Sequence, residues 1–346
     1  MTAPPAVDVC IVSHDSAADL PACLAAVAAL GHRPLAAVVV DCASADGSVA
    51  AADGARAALA AAGVGLTVEP LAENVGFAAG MNRALALSAG ASGDAPGDGW
   101  VLSLNPDARP APDYVRHLLA RAAAHPGLAV GAVTGRLVRA EPGAAAAPRL
   151  DACGMRLTRS WRHLDRGSGE PDDGRFGRAE RVFGATGAAS LFSRRALDDV
   201  AVGGEVFDPR FHSFREDAEL AFRLRERGWE VLYEPAARAV HRRWSLPERR
   251  REMPPEVNRH SLKNRYLLRL YHQTPGNFWR TLPWALGRDL GALAYALAAE
   301  RTSLPAYGWL WRHRREILAR RRAIQARRTV PARELDRWFG RSGAPL

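Results

Sequence analysis

The sequence predicts an α/β fold: a mostly parallel sheet with helices on both faces, followed by a helical C-terminal region. Three observations carry this. Short apolar runs alternate with amphipathic stretches through the first part of the 346-residue chain. Two of the runs, Val9-Cys10-Ile11-Val12 and Val38-Val39-Val40, are unbroken and β-prone, as strands buried on both faces are. Polar residues follow the runs directly, at Ser13-His14-Asp15, Asp41 and Asn105-Pro106-Asp107. Open α/β sheets bind ligands at that end of their strands.

Strands are expected over 7–12, 36–40, 65–69, 100–104 and 128–133, with helices over about 17–29, 48–62, 76–89 and 112–124. Residues 141–182 are rich in Gly, Pro, Arg and Asp and read as an irregular loop near the site. An apolar stretch at 185–192 follows, then a helix near 194–200 and another from Glu216 to about Arg227. Val231-Leu232-Tyr233 and Ala239-Val240-His241 read as two short strands, and the chain is helical from about 257. The division is a catalytic domain over 1–245 and a basic helical region over 246–346.

The chain is 48% hydrophobic, enough for one large or two ordinary domains with real cores. Its four cysteines, Cys10, Cys23, Cys42 and Cys153, have no regular spacing. That argues against a disulfide framework or zinc cluster and for a reducing cytosol. The N-terminus lacks the basic start and apolar core of a signal peptide. Charge is unevenly placed: net −5 over residues 1–241 and +15 over 242–346. A basic tail region on an acidic body attracts anionic lipid headgroups, nucleic acid or acidic substrates. In that region Phe278-Trp279, Trp284, Tyr295, Trp309 and Trp311 alternate with Arg280, Arg288, Arg301, Arg312, Arg314 and Arg315. Arg288 and Asp289 interrupt the apolar stretch 282–299, so it reads as a helix lying on a membrane surface rather than crossing one. A helical subdomain packed on the catalytic body explains the same pattern.

Two acidic positions stand out. Asn105-Pro106-Asp107 follows strand 100–104, and Glu216-Asp217 opens a helix. One carboxylate can hold Mg²⁺ or Mn²⁺ on a phosphate, and the other can take a proton from an attacking hydroxyl. Each has a plainer explanation. Asn-Pro is a common turn, and acidic residues favour helix starts because of the dipole. Asp41 can bind a base or ribose, yet Ser44, Asp46 and Ser48 read as well as caps of the next helix. Asn74-Val75-Gly76 opens a Gly-rich helix that also carries Asn82; its glycines allow close ligand approach or close packing. His241, followed by Arg242-Arg243, is a metal-side candidate or a surface histidine. A dinucleotide oxidoreductase would need Gly-x-Gly-x-x-Gly after the first strand, and Val12-Ser13-His14-Asp15-Ser16-Ala17-Ala18 has no glycine. A nucleic-acid binder would not explain Asp41, Asp107 and Asp217 on a net acidic body.

Taken in order, residues 9–16, 41–48, 74–85, 104–108, 184–195, 214–224 and 233–241 resemble the family 2 inverting glycosyltransferases with the GT-A fold, whose nucleotide-sugar-binding sheet is Rossmann-like. Among these the chain is most similar to bacterial rhamnosyltransferase-type enzymes of cell-surface polysaccharide assembly. The resemblance implies that Asp41, with Ser13 and His14, sits at the nucleotide base. It implies that Asn74, Gly76 and Asn82 line the nucleotide-sugar pocket. Asn105 and Asp107 take the first and last positions of the DxD motif, with Asp107 and His241 as ligands of Mg²⁺ or Mn²⁺. Asp217, with Glu216, matches the ED motif that supplies the base. Gly187 and Trp244 mark the acceptor side. The implied donor is dTDP-L-rhamnose, with UDP-linked hexoses or galactofuranose as rivals, and a saccharide or polyprenyl-linked saccharide as acceptor. The expected location is the cytoplasm, with peripheral contact at the inner face of the plasma membrane and no nucleic-acid partner. The departure is Asn105, which leaves a metal one charged ligand short and keeps an inactive scaffold in view.

Overall fold

The computed structural model describes residues 4–89, 99–140, 148–243 and 253–346; Trp244 lies outside the described residues. The alternating pattern gives β1 (Val7–Ser13), α1 (Leu20–Ala28), β2 (Leu35–Cys42), α2 (Ser48–Gly54), α3 (Arg56–Ala61), β3 (Gly65–Leu71), α4 (Gly76–Ser88) and β4 (Trp100–Leu104). Then come β5 (Ala108–Pro110), α5 (Tyr114–Ala123), β6 (Val130–Arg139), β7 (Leu150–Ala152), β8 (Met155–Leu157), β9 (His163–Asp165) and β10 (Glu180–Arg181). β11 (Ala189–Ser193), α6 (Arg194–Val200), α7 (Glu216–Glu226) and β12 (Glu230–His241) complete the sheet region. The remainder is helical: α8 (Pro255–His272), α9 (Pro275–Ala298), α10 (Pro305–Arg312), α11 (Arg314–Ala326) and α12 (Ala332–Asp336).

Ten strands form one sheet in the order β10-β12-β6-β11-β4-β1-β2-β3, with β5 added to β12 and β7 to β6. β1, β2, β3 and β4 run parallel, as do β6 and β12, and β11 lies antiparallel between β4 and β6. β1 and β2 are buried at every position, as their unbroken apolar runs require. One face packs Leu24 of α1, Leu59 of α3 and Leu118 of α5 against the sheet. The other packs Met81 of α4, Leu197 of α6 and Leu220 of α7.

Three local expectations change. The helix expected over 48–62 is two short ones, α2 and α3, and Arg56 at the break ties to the Leu66 carbonyl (2.7 Å). The two short strands expected near 231 and 239 are one twelve-residue strand, β12. Its register shifts between Glu234 and Arg238, and that irregularity hides its continuity in the sequence. Within 141–182, the described part contains β7 to β10 rather than irregular loop alone.

α8 packs against the sheet-bearing part of the chain. Its buried face meets the segment just before α7, where His212, Phe214 and Arg215 adopt φ of 61°, 72° and 73°. Left-handed backbone at non-glycine residues costs roughly 1–3 kcal/mol each and persists only where the surroundings impose it. Here Asn264 of α8 donates its amide to the carbonyls of Phe211, Ser213 and Phe214 at 2.8–2.9 Å. Lys263 reaches the Arg210 carbonyl (2.5 Å).

A buried ionic network joins α7 to α8 and to Arg328, just beyond α11. Arg223 chelates Glu219 (2.6 and 2.8 Å), both essentially unexposed. His272 lies between Glu219 and Glu226, and Arg328 also pairs with Glu226. Burial would raise the Glu219 pKa, but Arg223 and His272 outweigh it and hold the carboxyl well below the usual range. The same carboxylates raise His272 against its own burial. A depressed acid stabilises the fold above its unfolded pKa and loses that contribution as pH falls. A raised histidine stabilises below its unfolded pKa and loses it as pH rises. The network therefore contributes most between about pH 4.5 and 6.5. Arg223→Ala strands a buried carboxylate and is expected to cost about 3–5 kcal/mol, read by urea denaturation. A loss under about 1 kcal/mol would show that the pair is not the anchor described.

Candidate active site

The first group of expected residues lies around the ends of parallel strands β1 and β2 and the start of α4. Ser13 closes β1 in register with Asp41 of β2, and its buried hydroxyl has no partner. Asp41 is buried and accepts from the Ser44 backbone (2.9 Å) and hydroxyl (2.6 Å), so both its oxygens hold their own loop. His14 anchors Nδ1 on the Cys42 carbonyl (2.8 Å). Asn74 accepts from the Gly76 amide (3.0 Å) and shapes the turn into α4. Gly76 has φ +77°, and a side chain there would meet His212 at 2.6 Å. The start of α4 is thereby pinned to the strained segment; the Ala78 amide also donates to the His212 carbonyl (2.9 Å). Asn82 sits further along α4 and clamps the Phe207 backbone with both ends of its amide (2.7 and 2.8 Å). Its side chain is engaged there, away from the strand ends.

The second group surrounds His241 at the end of β12. Its Nε2 lies 3.1 Å from Asp107 and its Nδ1 2.7 Å from Asp151, with the Asn105 amide 3.4 Å away. Burial alone would lower this imidazole's pKa, but the two carboxylates outweigh it and raise it to about 9. Both carboxyls are held below their usual range despite their own burial. Arg243 bridges Asp151 (3.0 Å) to Asp165 (2.7 Å). Arg242 pairs with Asp19 (2.9 Å). Among the described residues no cluster of three or more His, Cys, Asp and Glu side chains has metal-site geometry. Asp107 and His241 are adjacent side chains of types that can bind a cation, and a cation held by two such side chains keeps positions for phosphate and water.

The third group is Glu216-Asp217. Asp217 accepts from the Gly187 amide (3.1 Å) and from Ala218 (2.7 Å). Burial and then the nearby Asp165 charge raise its pKa, while the amides pull it down. Glu216 is pushed well up, first by burial and then by Asp217, and one of its oxygens is buried without a partner.

One short segment joins the two acidic centres. Gly187 holds Asp217 through its amide and receives the Ser103 hydroxyl on its carbonyl (2.7 Å), and Ala188 receives the Asn105 amide (2.8 Å). Asn105-Pro106-Asp107 and Asp217 are therefore held by adjacent residues, although they lie far apart in sequence. Sequence reading missed Asp151, Asp165, His163 and Asn264. The first three are isolated polar residues in an aperiodic stretch, and Asn264 is one amide in a helix; none carries a spacing signal.

Known proteins resemble this chain in sequence and in fold. The family model "Glycosyl transferase family 2" matches residues 8–201. The chain is 29% identical, over 228 residues, to N-acetylglucosaminyl-diphospho-decaprenol L-rhamnosyltransferase of Mycobacterium tuberculosis; the match spans 63% of this chain and 70% of that protein. Among solved structures, a mannosyltransferase from Pyrobaculum calidifontis in complex with GDP-Man and Mn²⁺ superposes with a TM-score of 0.52 at 21% identity, covering 97% of this chain and 86% of that one. TarS 1-349 of S. aureus in complex with UDP-GlcNAc gives 0.53 at 14% identity, covering 96% and 89%. At these identities the two structures speak for the fold alone, which is GT-A. With more than half of its length matched by the family model, the chain belongs to glycosyl transferase family 2 and is a transferase enzyme.

Proposed function

We infer that this protein is an inverting glycosyltransferase that moves L-rhamnose from dTDP-L-rhamnose to a hydroxyl of a saccharide or polyprenyl-linked saccharide in cell-surface polysaccharide synthesis. The observation that carries it is the Gly187–Ala188 segment, which holds a raised-pKa aspartate beside the Asn105-Pro106-Asp107 turn. The similarity to a rhamnosyltransferase with a lipid-linked acceptor supports the choice of donor and acceptor. In this reading residues 1–245 are the catalytic domain and 246–346 the basic helical region, working in the cytoplasm at the inner face of the plasma membrane.

The acceptor hydroxyl attacks the anomeric carbon from the side of Asp217. The new C–O bond forms as the bond to the nucleoside diphosphate breaks, and the leaving group takes the electron pair. The acceptor proton goes to Asp217, whose raised pKa makes it a better base than an ordinary aspartate. Glu216 beside it is pushed toward its protonated form by burial and then by Asp217, which favours keeping the negative charge on Asp217. Ser13, His14 and Asp41 frame the base end of the donor pocket, Asn74 and Gly76 shape its wall, Asn82 positions the 207 segment, and Gly187 floors the acceptor side. Asp107, and His241 once it gives up its Nε2 proton, would hold Mg²⁺ or Mn²⁺, which supplies charge neutralisation on the diphosphate.

Asp217→Asn is expected to lower turnover by about 10²–10⁴-fold while nucleotide-sugar binding, read by calorimetry, persists. Turnover near that of the wild type removes the base assignment. Because the base works deprotonated, activity falls as pH falls. The acid limb of kcat should lie above the ordinary aspartate pKa of ~3.9, and a limb at that value would contradict the burial argument. A screen for released nucleoside diphosphate is expected to favour dTDP-L-rhamnose and to weaken with EDTA. Preference for a UDP-hexose or UDP-galactofuranose would transfer the assignment to that donor, and release from none would indicate an inactive scaffold.

A further inference from the structure

The β8–β9 hairpin presents three arginines that no nearby acid neutralises. Its turn is made at Trp161, whose φ of 59° is rare for a bulky residue. The buried Trp161 ring stacks on Phe222 of α7 (5.7 Å) and meets Phe339 edge-on (4.9 Å). Its Nε1 donates to the Thr281 hydroxyl of α9 (2.9 Å). The turn is thus locked between the helix that begins with Glu216-Asp217 and α9. Arg156 and Arg159 stand exposed on this hairpin and Arg162 half-buried. Among the described residues none of the three has an acidic partner. The Arg159 guanidinium lies 4.9 Å over the Trp284 ring. Burial and then the charges of Arg265 and Arg156 lower the pKa of Arg162, and Arg265 is itself paired with Asp289 (2.5 Å). Its neighbour His163 contacts Arg215 (3.3 Å), the residue before Glu216. Cations gathered in a partly buried place without an anion are unfavourable by themselves, and guanidinium forks match phosphate oxygens.

Beyond Trp284, α9 carries an outward stripe. Trp279, Leu286, Leu290, Leu293 and Leu297 follow helical spacing and are 71, 50, 59, 39 and 52% exposed. No described helix is long and apolar enough to cross a membrane. An unneutralised cationic hairpin therefore sits between a general base and an uncovered apolar stripe.

Resting on the glycosyltransferase reading above, we propose that Arg156, Arg159 and Arg162 bind the diphosphate of a lipid-linked acceptor, with its hydrocarbon chain running over Trp284 and the stripe of α9. The sugar joined to that diphosphate then lies on the Asp217 side of the hairpin, and the lipid on the membrane side. Two positive forks and a third guanidinium complement the negative charge of a diphosphate.

The test is flotation of the full chain, without nucleotide sugar, on three kinds of vesicle. These are phosphatidylcholine alone, phosphatidylcholine with geranylgeranyl diphosphate, and phosphatidylcholine with phosphatidylglycerol at matched surface charge. Association is expected to follow the diphosphate. The double variant Arg159→Gln with Arg162→Gln should weaken it by about tenfold or more, and Leu290→Glu should weaken association with all three kinds of vesicle. Unchanged thermal unfolding midpoints confirm that the variants are folded. The proposal is overturned if phosphatidylglycerol serves as well as the diphosphate, if diphosphate vesicles bind no better than plain ones, or if the double variant binds as the wild type. It is also overturned if the chain self-associates through the stripe and Leu290→Glu abolishes that without altering vesicle binding. Since no donor is present, failure here leaves the base assignment at Asp217 standing, and loss of that assignment leaves the vesicle result intact.

Discussion

The hold of α8 on the segment before α7 is the constraint on which the site depends. His212, Phe214 and Arg215 are all in left-handed backbone, a combination the chain would not keep unaided. Asn264 supplies the compensation from one side, through three carbonyls. Gly76 supplies room from the other, since any side chain there would collide with His212. This geometry turns the chain so that α7 starts with Asp217 against the Gly187 amide. The C-terminal helices are therefore part of what positions Asp217, whatever else they contact. The buried Glu219–Arg223–His272–Glu226 network fixes the same helices from below, and its internal pairing is why four ionisable groups tolerate burial together.

Electrostatics divides the site into two halves with opposite tuning. Around His241 each carboxylate finds a cation, so Asp107 and Asp151 stay ionised and the imidazole stays protonated. Around Asp217 the neighbours are Glu216 and Asp165, and burial is met by two backbone amides rather than by a full positive charge. Acids whose environments push their pKa values apart take different roles. The His241 half is suited to hold charge, with a proton on the imidazole that a bound cation would displace, and the Asp217 half is suited to exchange a proton.

Much of this was legible in the residues themselves. β1 and β2 announced burial on both faces, and polar residues at their ends marked the ligand side. Asp107, Asp217 and His241 followed recognisable strands or helix starts. What was hidden depended on tertiary contact. Asp151 and Asp165 become meaningful only when β7 and β9 bring them to Arg243, and each strand is three residues long. Asp41 and Asn82 looked like ligand contacts, but their side chains are engaged by Ser44 and by the Phe207 backbone. Polar residues at strand ends and helix starts serve both purposes, and periodicity cannot tell them apart.

The neutral Asn105 fits this charge arrangement. Two carboxylates, Asp107 and Asp151, already face the single imidazolium of His241, and a third, Asp165, shares Arg243 with Asp151. An aspartate at 105 would bring a further negative charge to within about the 3.4 Å at which the Asn105 amide now lies from Nε2. Like charges at that range in a partly buried place disfavour joint ionisation, so one of the acids would have to take up a proton. The neutral side-chain amide avoids this, while the turn is tied to the Ala188 carbonyl by the Asn105 backbone N–H. Reduced charge at the first position of the acidic turn is thus compatible with a working site, because Asp151 and Asp165 from the neighbouring strands already supply the negative charge around His241 and Arg243.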